Sequence, residues 1–181
     1  MSATQLNRIA AMVALVEGTN SGVGRTALMK LCFFLQVIRR VPLGYDFSLY
    51  SYGPFDSDVM SDLQSAEGLN ALQSKTVIYP GGYGYSISSG FQSNQVKQYS
   101  LSFLQQYSED IKWVSTTFGS YTASDLELLS TISFVSIKEK LLTNAEIAQR
   151  ISVIKPHFSM SQIQQKVDWL DSQSLLRKGY I

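Results

Sequence analysis

The chain has 181 residues, with 15 Lys and Arg against 14 Asp and Glu, one histidine and one cysteine. A chain of this length can bury roughly 70% of its unfolded surface and needs no staples to fold. The charge is balanced in both halves, which argues against a nonspecific binder of nucleic acid or anionic membrane, and the single cysteine, Cys32, excludes a disulfide framework or a thiolate metal cluster.

Leu6, Ile9, Val13 and Val16 recur at helical spacing and predict a first helix, followed by a loop over the Gly, Ser and Asn run from Gly18 to Gly24. The apolar stretch Ile9 to Val16 is too short to span a bilayer, and Arg8 and Glu17 flank it poorly for a signal peptide, so a soluble cytoplasmic protein with no membrane association is expected. Gly22-Val23-Gly24-Arg25-Thr26 lacks the lysine-serine pair of a phosphate loop and reads as an interhelical turn. No cofactor is expected. From Thr26 to Arg40 the chain is apolar on nearly every side, through Leu28, Leu31, Cys32, Leu35 and Ile38 with Phe33, Phe34 and Val37 between them. That pattern predicts a buried central helix, capped by Thr26 and stopped near Arg39, Arg40 and Pro42.

Tyr45 to Tyr52 alternates as a short extended stretch, and Gly53-Pro54 ends it. Asp56 is an N-cap with Phe55 and Met60 in staple positions, heading a helix with the stripe Val59, Leu63 and Ala66 that stops at Gly68. Lys75 to Tyr79 and Tyr83 to Ser88, joined by Pro80-Gly81-Gly82, read as a hairpin. Three helices and a hairpin in this order predict a winged-helix-like module over residues 1–92, with Asp56 to Gly68 as the recognition helix and the hairpin as the wing.

Val96, Tyr99, Phe103, Tyr107, Ile111, Val114 and Phe118 step by three or four, predicting one long connecting helix, or two collinear ones, over residues 93–119. Thr122 opens a helix through Leu126, Leu129 and Ile132. Thr143 with Glu146, and Ser159 with Gln162, have capping-box spacing at the heads of two more, separated by Pro156. Residues 120–181 thus form a second helical module, possible as a second winged helix, with Leu63, Ser65 and Leu69 echoed in Leu170, Ser172 and Leu176. The fold class expected is mainly α with a small β-hairpin.

The run Leu28-Met29-Lys30-Leu31, then Tyr52-Gly53-Pro54-Phe55 before an amphipathic helix ending in Glu67-Gly68-Leu69, resembles the bacterial YwgA-like proteins and the related Panacea, or SocA-like antitoxin, domains. The resemblance continues through Lys155-Pro156-His157-Phe158-Ser159 and the closing helix. In the antitoxin relatives the domain implies neutralisation of a toxin by protein contact, or delivery of a partner to a protease. No catalytic residue carries over.

Candidate sites each have a plainer alternative. His157 has no HxxxH or HxH partner and reads as structural rather than as a metal ligand or base. Cys32 sits among buried helical positions, so core is favoured over nucleophile. Asp56, Asp58 and Asp62 read as dipole complement and solvated surface rather than a cation site. Tyr50, Tyr52, Tyr79, Tyr83 and Tyr85 suit protein recognition or base stacking, beside the acids Asp58 and Asp62, which favour a basic partner. The plainer alternative is that half of these tyrosines are core. The Asp56 to Gly68 helix has no Lys or Arg and repels a duplex; any nucleic-acid contact falls to Lys155, Lys166, Arg177 and Lys178. A noncatalytic protein-recognition module is expected first, a winged-helix DNA-binding regulator second, and a Cys or His hydrolase a distant third. The partner expected is another protein, possible as a toxin or defence component.

Overall fold

Ser2 starts the first helix: its hydroxyl accepts from the Gln5 N–H at 3.1 Å, satisfying one of the four N–H groups a helix start leaves open. The computed structural model describes residues 1–19, 22–80, 82–139 and 143–176, and of Tyr79 the backbone alone. Helix α1 (Ala3–Glu17) buries Ile9 to Val13, Leu15 and Val16, so it is enclosed on most sides rather than laid on a surface.

Ahead of the next helix, Val23 bridges to Ile87 of a later strand. Helix α2 (Arg25–Val37) starts at Gly24, with no side-chain cap, and not at Thr26 as the sequence suggests. Every residue from Leu28 to Leu35 is buried, including Lys30, and the helix packs on α1. It is the central strut that the pattern predicts. It ends before Arg39, which leaves to pair with Asp110 at 2.6 Å.

Val41, Leu43, Tyr45 and Phe47 alternate inward along the next stretch. Gln36 holds this stretch by both ends of its amide: Oε1 accepts from the Tyr45 N–H at 2.9 Å and Nε2 donates to the Tyr45 carbonyl at 2.8 Å. Strands β1 (Ser48–Tyr50) and β2 (Gly53–Phe55) form a tight antiparallel hairpin where one extended stretch was expected. Gly53 has φ +86°, and a Cβ there would lie 2.9 Å from the Thr131 hydroxyl, so glycine is required twice over. Helix α3 (Ser57–Gly68) is capped by Asp56, whose carboxylate accepts from the Asp58 N–H at 2.8 Å, and buries Val59, Leu63 and Ala66. Strands β3 (Leu72–Tyr79) and β4 (Gly82–Ser89) pair from Leu72 with Ser89 to Tyr79 with Gly82, a longer hairpin than the sequence outlines.

The connecting helix expected over residues 93–119 is instead three: α4 (Ser93–Tyr99), α5 (Leu101–Gln106) and α6 (Ser108–Phe118). Ser100 and Tyr107 leave helical geometry, with ψ of 27° and 18°, and the bent segment packs along α1. Its apolar side follows α1 and not a straight line. Helix α7 (Ala123–Lys138) begins at Thr122 and is buried almost throughout, its hydroxyls at Ser130, Thr131, Ser133 and Ser136 bonding back to carbonyls three or four residues earlier. Helices α8 (Asn144–Ile154) and α9 (Met160–Ser172) each start with the capping box their sequences indicate. One continuous core runs from Ile9 to Leu170. No helix among the described residues is long and apolar enough to cross a membrane.

Candidate functional site

The start of α2 lies between the two hairpins, and three exposed tyrosines gather there. Tyr50 and Tyr52, at the end of β1 and in its turn, are 62% and 70% exposed, and Tyr83 on β4 is 67% exposed. Ile78, its cross-strand partner, is more exposed still. Tyr85 is half-buried: the Arg25 guanidinium lies over its ring at 3.6 Å, a cation–π contact. The side chain of Tyr79 is outside what is described. Two open cavities meet here, one of about 380 Å³ under Tyr50, Tyr52 and Phe55, and one of about 610 Å³ beside Val77, Tyr83 and Tyr85. Arg25 and Thr26 line both. This makes the tyrosine groups of the two hairpins parts of one surface.

Of the two acids placed on that surface, Asp58 is exposed and Asp62 is not. Asp62 is buried, paired with Arg8 of α1 at 2.6 Å, and accepts from the Tyr45 hydroxyl at 3.0 Å. Burial works against the Arg8 charge, but the hydrogen bond and charge of Asp62 outweigh it and raise the guanidinium. Asp62 is a structural anion, and the acidic face expected to attract a basic partner is correspondingly smaller. Asp56, Asp58 and Asp62 have separate roles and do not converge.

The cationic set is corrected further. Lys155 is buried, its ammonium donating to Glu127 at 2.6 Å and to the Ser51 carbonyl. Burying a charge without a partner is prohibitive, which is why Glu127 of α7 is buried with it. Lys166 is mostly covered and bonds Asp125 at 2.7 Å. Arg177 and Lys178 lie outside the described residues.

Under the β1–β2 hairpin the structure assembles a cluster that the sequence does not announce. Lys30, 2% exposed, donates to the Pro54 carbonyl at 2.6 Å, and its pKa is pushed down to about 8 by burial and by the nearby charge of Lys155, against the pull of Glu127. Lys30 also lines the smaller cavity. His157 is largely exposed, with Nε2 3.6 Å from Glu127. Cys32 lies in the core, where burial pushes its thiol well above the usual range. The one sequence signal for Lys30 is a cation inside an otherwise apolar helical run.

No family model matches the chain, and no curated protein matches it.

Proposed function

We propose that the chain is a noncatalytic protein-recognition module that contacts its partner through the tyrosine-bearing edge at the start of α2. The observation that carries this is the gathering of Tyr50, Tyr52 and Tyr83, all exposed, around two cavities joined by Arg25 and Thr26. Single exposed apolar residues are ordinary, whereas a cluster of aromatic ones over concave surface suits an interface whose energy sits in a few anchors.

We read the first half as a winged helix. In support, α1, α2 and α3 pack on one another, the β3–β4 hairpin follows α3, and the Val23–Ile87 bridge joins the α1–α2 connection to that hairpin. Helices α7, α8 and α9 form a second mutually packed trio. Taken with the resemblance to antitoxin domains, this favours a toxin or defence component as the partner. A DNA-binding regulator has less support: the exposed side of α3 offers Asp58, Ser61 and Gln64 but no cation, and Lys155 and Lys166 are occupied.

Copurification from the native cell tests the proposal. At least one of Tyr52→Ala and Tyr83→Ala is expected to keep the wild-type melting temperature and lose the partner. Capture at wild-type affinity by both stable variants moves recognition away from this edge.

A further inference from the structure

The smaller cavity has a composition that selects its occupant. It runs to about 380 Å³, within the range of ligand-sized pockets. Its walls are apolar, through Met29, Phe55, Met60 and the rings of Tyr50 and Tyr52. Set into them are two cations, Arg25 and Lys30, and no Asp or Glu. The Arg25 Nε is buried and makes no hydrogen bond, although it is a donor. Lys30 spends one donor on the Pro54 carbonyl, and an ammonium has three. Behind it, Lys30 and Lys155 share a single buried carboxylate, Glu127, which Lys155 holds at 2.6 Å. The site therefore carries an unbalanced positive charge next to apolar surface.

We infer that this cavity takes the C-terminal residue of a partner chain, its free carboxylate held by Arg25 and Lys30 and its apolar side chain against Met29, Phe55 and Met60. An internal Asp or Glu supplies a carboxylate on a short stem but leaves the apolar wall uncovered. A terminal apolar residue puts both groups next to each other, and capture of a chain terminus is an established mode of peptide recognition. The exposed Tyr50 and Tyr52 at the mouth are then positioned for the residues that precede the terminus. The lowered pKa of Lys30 agrees, since it reflects a buried charge with too little compensation. This inference rests on the protein-recognition proposal and names the part of the partner that is recognised.

The test is titration of the isotope-labelled full chain with acetyl-Gly-Gly-Leu and acetyl-Gly-Gly-Phe, each as the free acid and as the C-terminal amide, followed by amide chemical shifts and calorimetry. The free acids are expected to bind with shifts centred on residues 25–30 and 50–55, and the amides about tenfold or more weaker, equivalent to about 1.4 kcal/mol. Arg25→Gln, at a half-exposed position, should keep the fold and erase most of the acid-over-amide preference; Lys30→Met should do the same where it folds. Equal binding of acid and amide, no binding of either acid at millimolar concentration, or a preference unchanged in Arg25→Gln overturns the inference. So does 3-phenylpropanoate binding as tightly as the peptides, because the site is then one for free small acids. Partner capture by the Tyr52 and Tyr83 variants is measured separately, so a flat titration leaves the recognition proposal standing, and loss of tyrosine dependence leaves the peptide result intact.

Discussion

The two hairpins expose tyrosines from opposite mechanical situations. The β1–β2 hairpin is pinned from beneath: Lys30 holds the Pro54 carbonyl, Lys155 holds the Ser51 carbonyl, and Gly53 lies against α7. The β3–β4 hairpin is held at its base, through buried Leu72 and Ile87 and the bridge to Val23, while Val77, Ile78 and Tyr83 farther out are exposed. One is a fixed anchor built on buried charge, and the other is an arm whose outer residues contribute little to the core. The difference separates stability from recognition within one surface.

Breaking the anchor should have the largest effect. Glu127→Gln removes the single carboxylate that balances Lys155 and Lys30, and destabilisation of about 3 to 5 kcal/mol is expected from leaving buried ammonium groups unpaired. Denaturant unfolding measures it, and a loss under 1 kcal/mol would show that solvent reaches the cluster.

A second, smaller effect isolates Lys30. Its pKa in the folded chain, about 8, lies below the 10.5 of an unperturbed lysine. The cost of holding that charge is therefore fully present below about pH 8. It is relieved as pH rises towards 10.5, because the folded chain gives up the proton before the unfolded chain does. Wild type should gain roughly 2 kcal/mol on Lys30→Met between pH 7 and 9.5. Cys32 and Tyr45, both shifted upward by burial, titrate in both proteins and cancel in the difference. Paired unfolding curves at the two pH values check the sign.

The arm should show the smallest effect on stability. Ile78→Ala and Tyr83→Ala are expected to fall within about 0.5 kcal/mol of wild type, since neither side chain is buried. Thermal melts decide it. A large loss at Tyr83 would mean that its edge-to-face contact with Tyr85 at 6.2 Å is structural.

Sequence reached the local parts of this molecule well. Asp56, Thr122, Thr143 and Ser159 cap the helices they were assigned to, and the stripes Val59, Leu63, Ala66 and Ile163, Val167, Leu170 are buried as their spacing implies. These signals act over one or two helical turns. The errors lie where the partner is remote: Asp62 and Lys155 look like surface charges until Arg8 and Glu127, 54 and 28 positions away, come alongside. The breaks at Ser100 and Tyr107 carry no glycine or proline, so the repeat of apolar residues ran straight through them. The burial of α7 was disguised by serines and threonines that satisfy themselves on their own helix backbone.

The bent segment from α4 to α6 sets an order of events. Helix α1 is made before the bent segment that packs along it, whose Val96, Ile111 and Val114 belong to the same core. A nascent chain carries α1 without this cover until α6 has emerged, an interval in which exposed apolar surface is prone to aggregate. In the finished protein the same belt protects α1. Amide protons from Ile9 to Val13 should be among the slowest to exchange, because these residues are buried in the core that the belt closes.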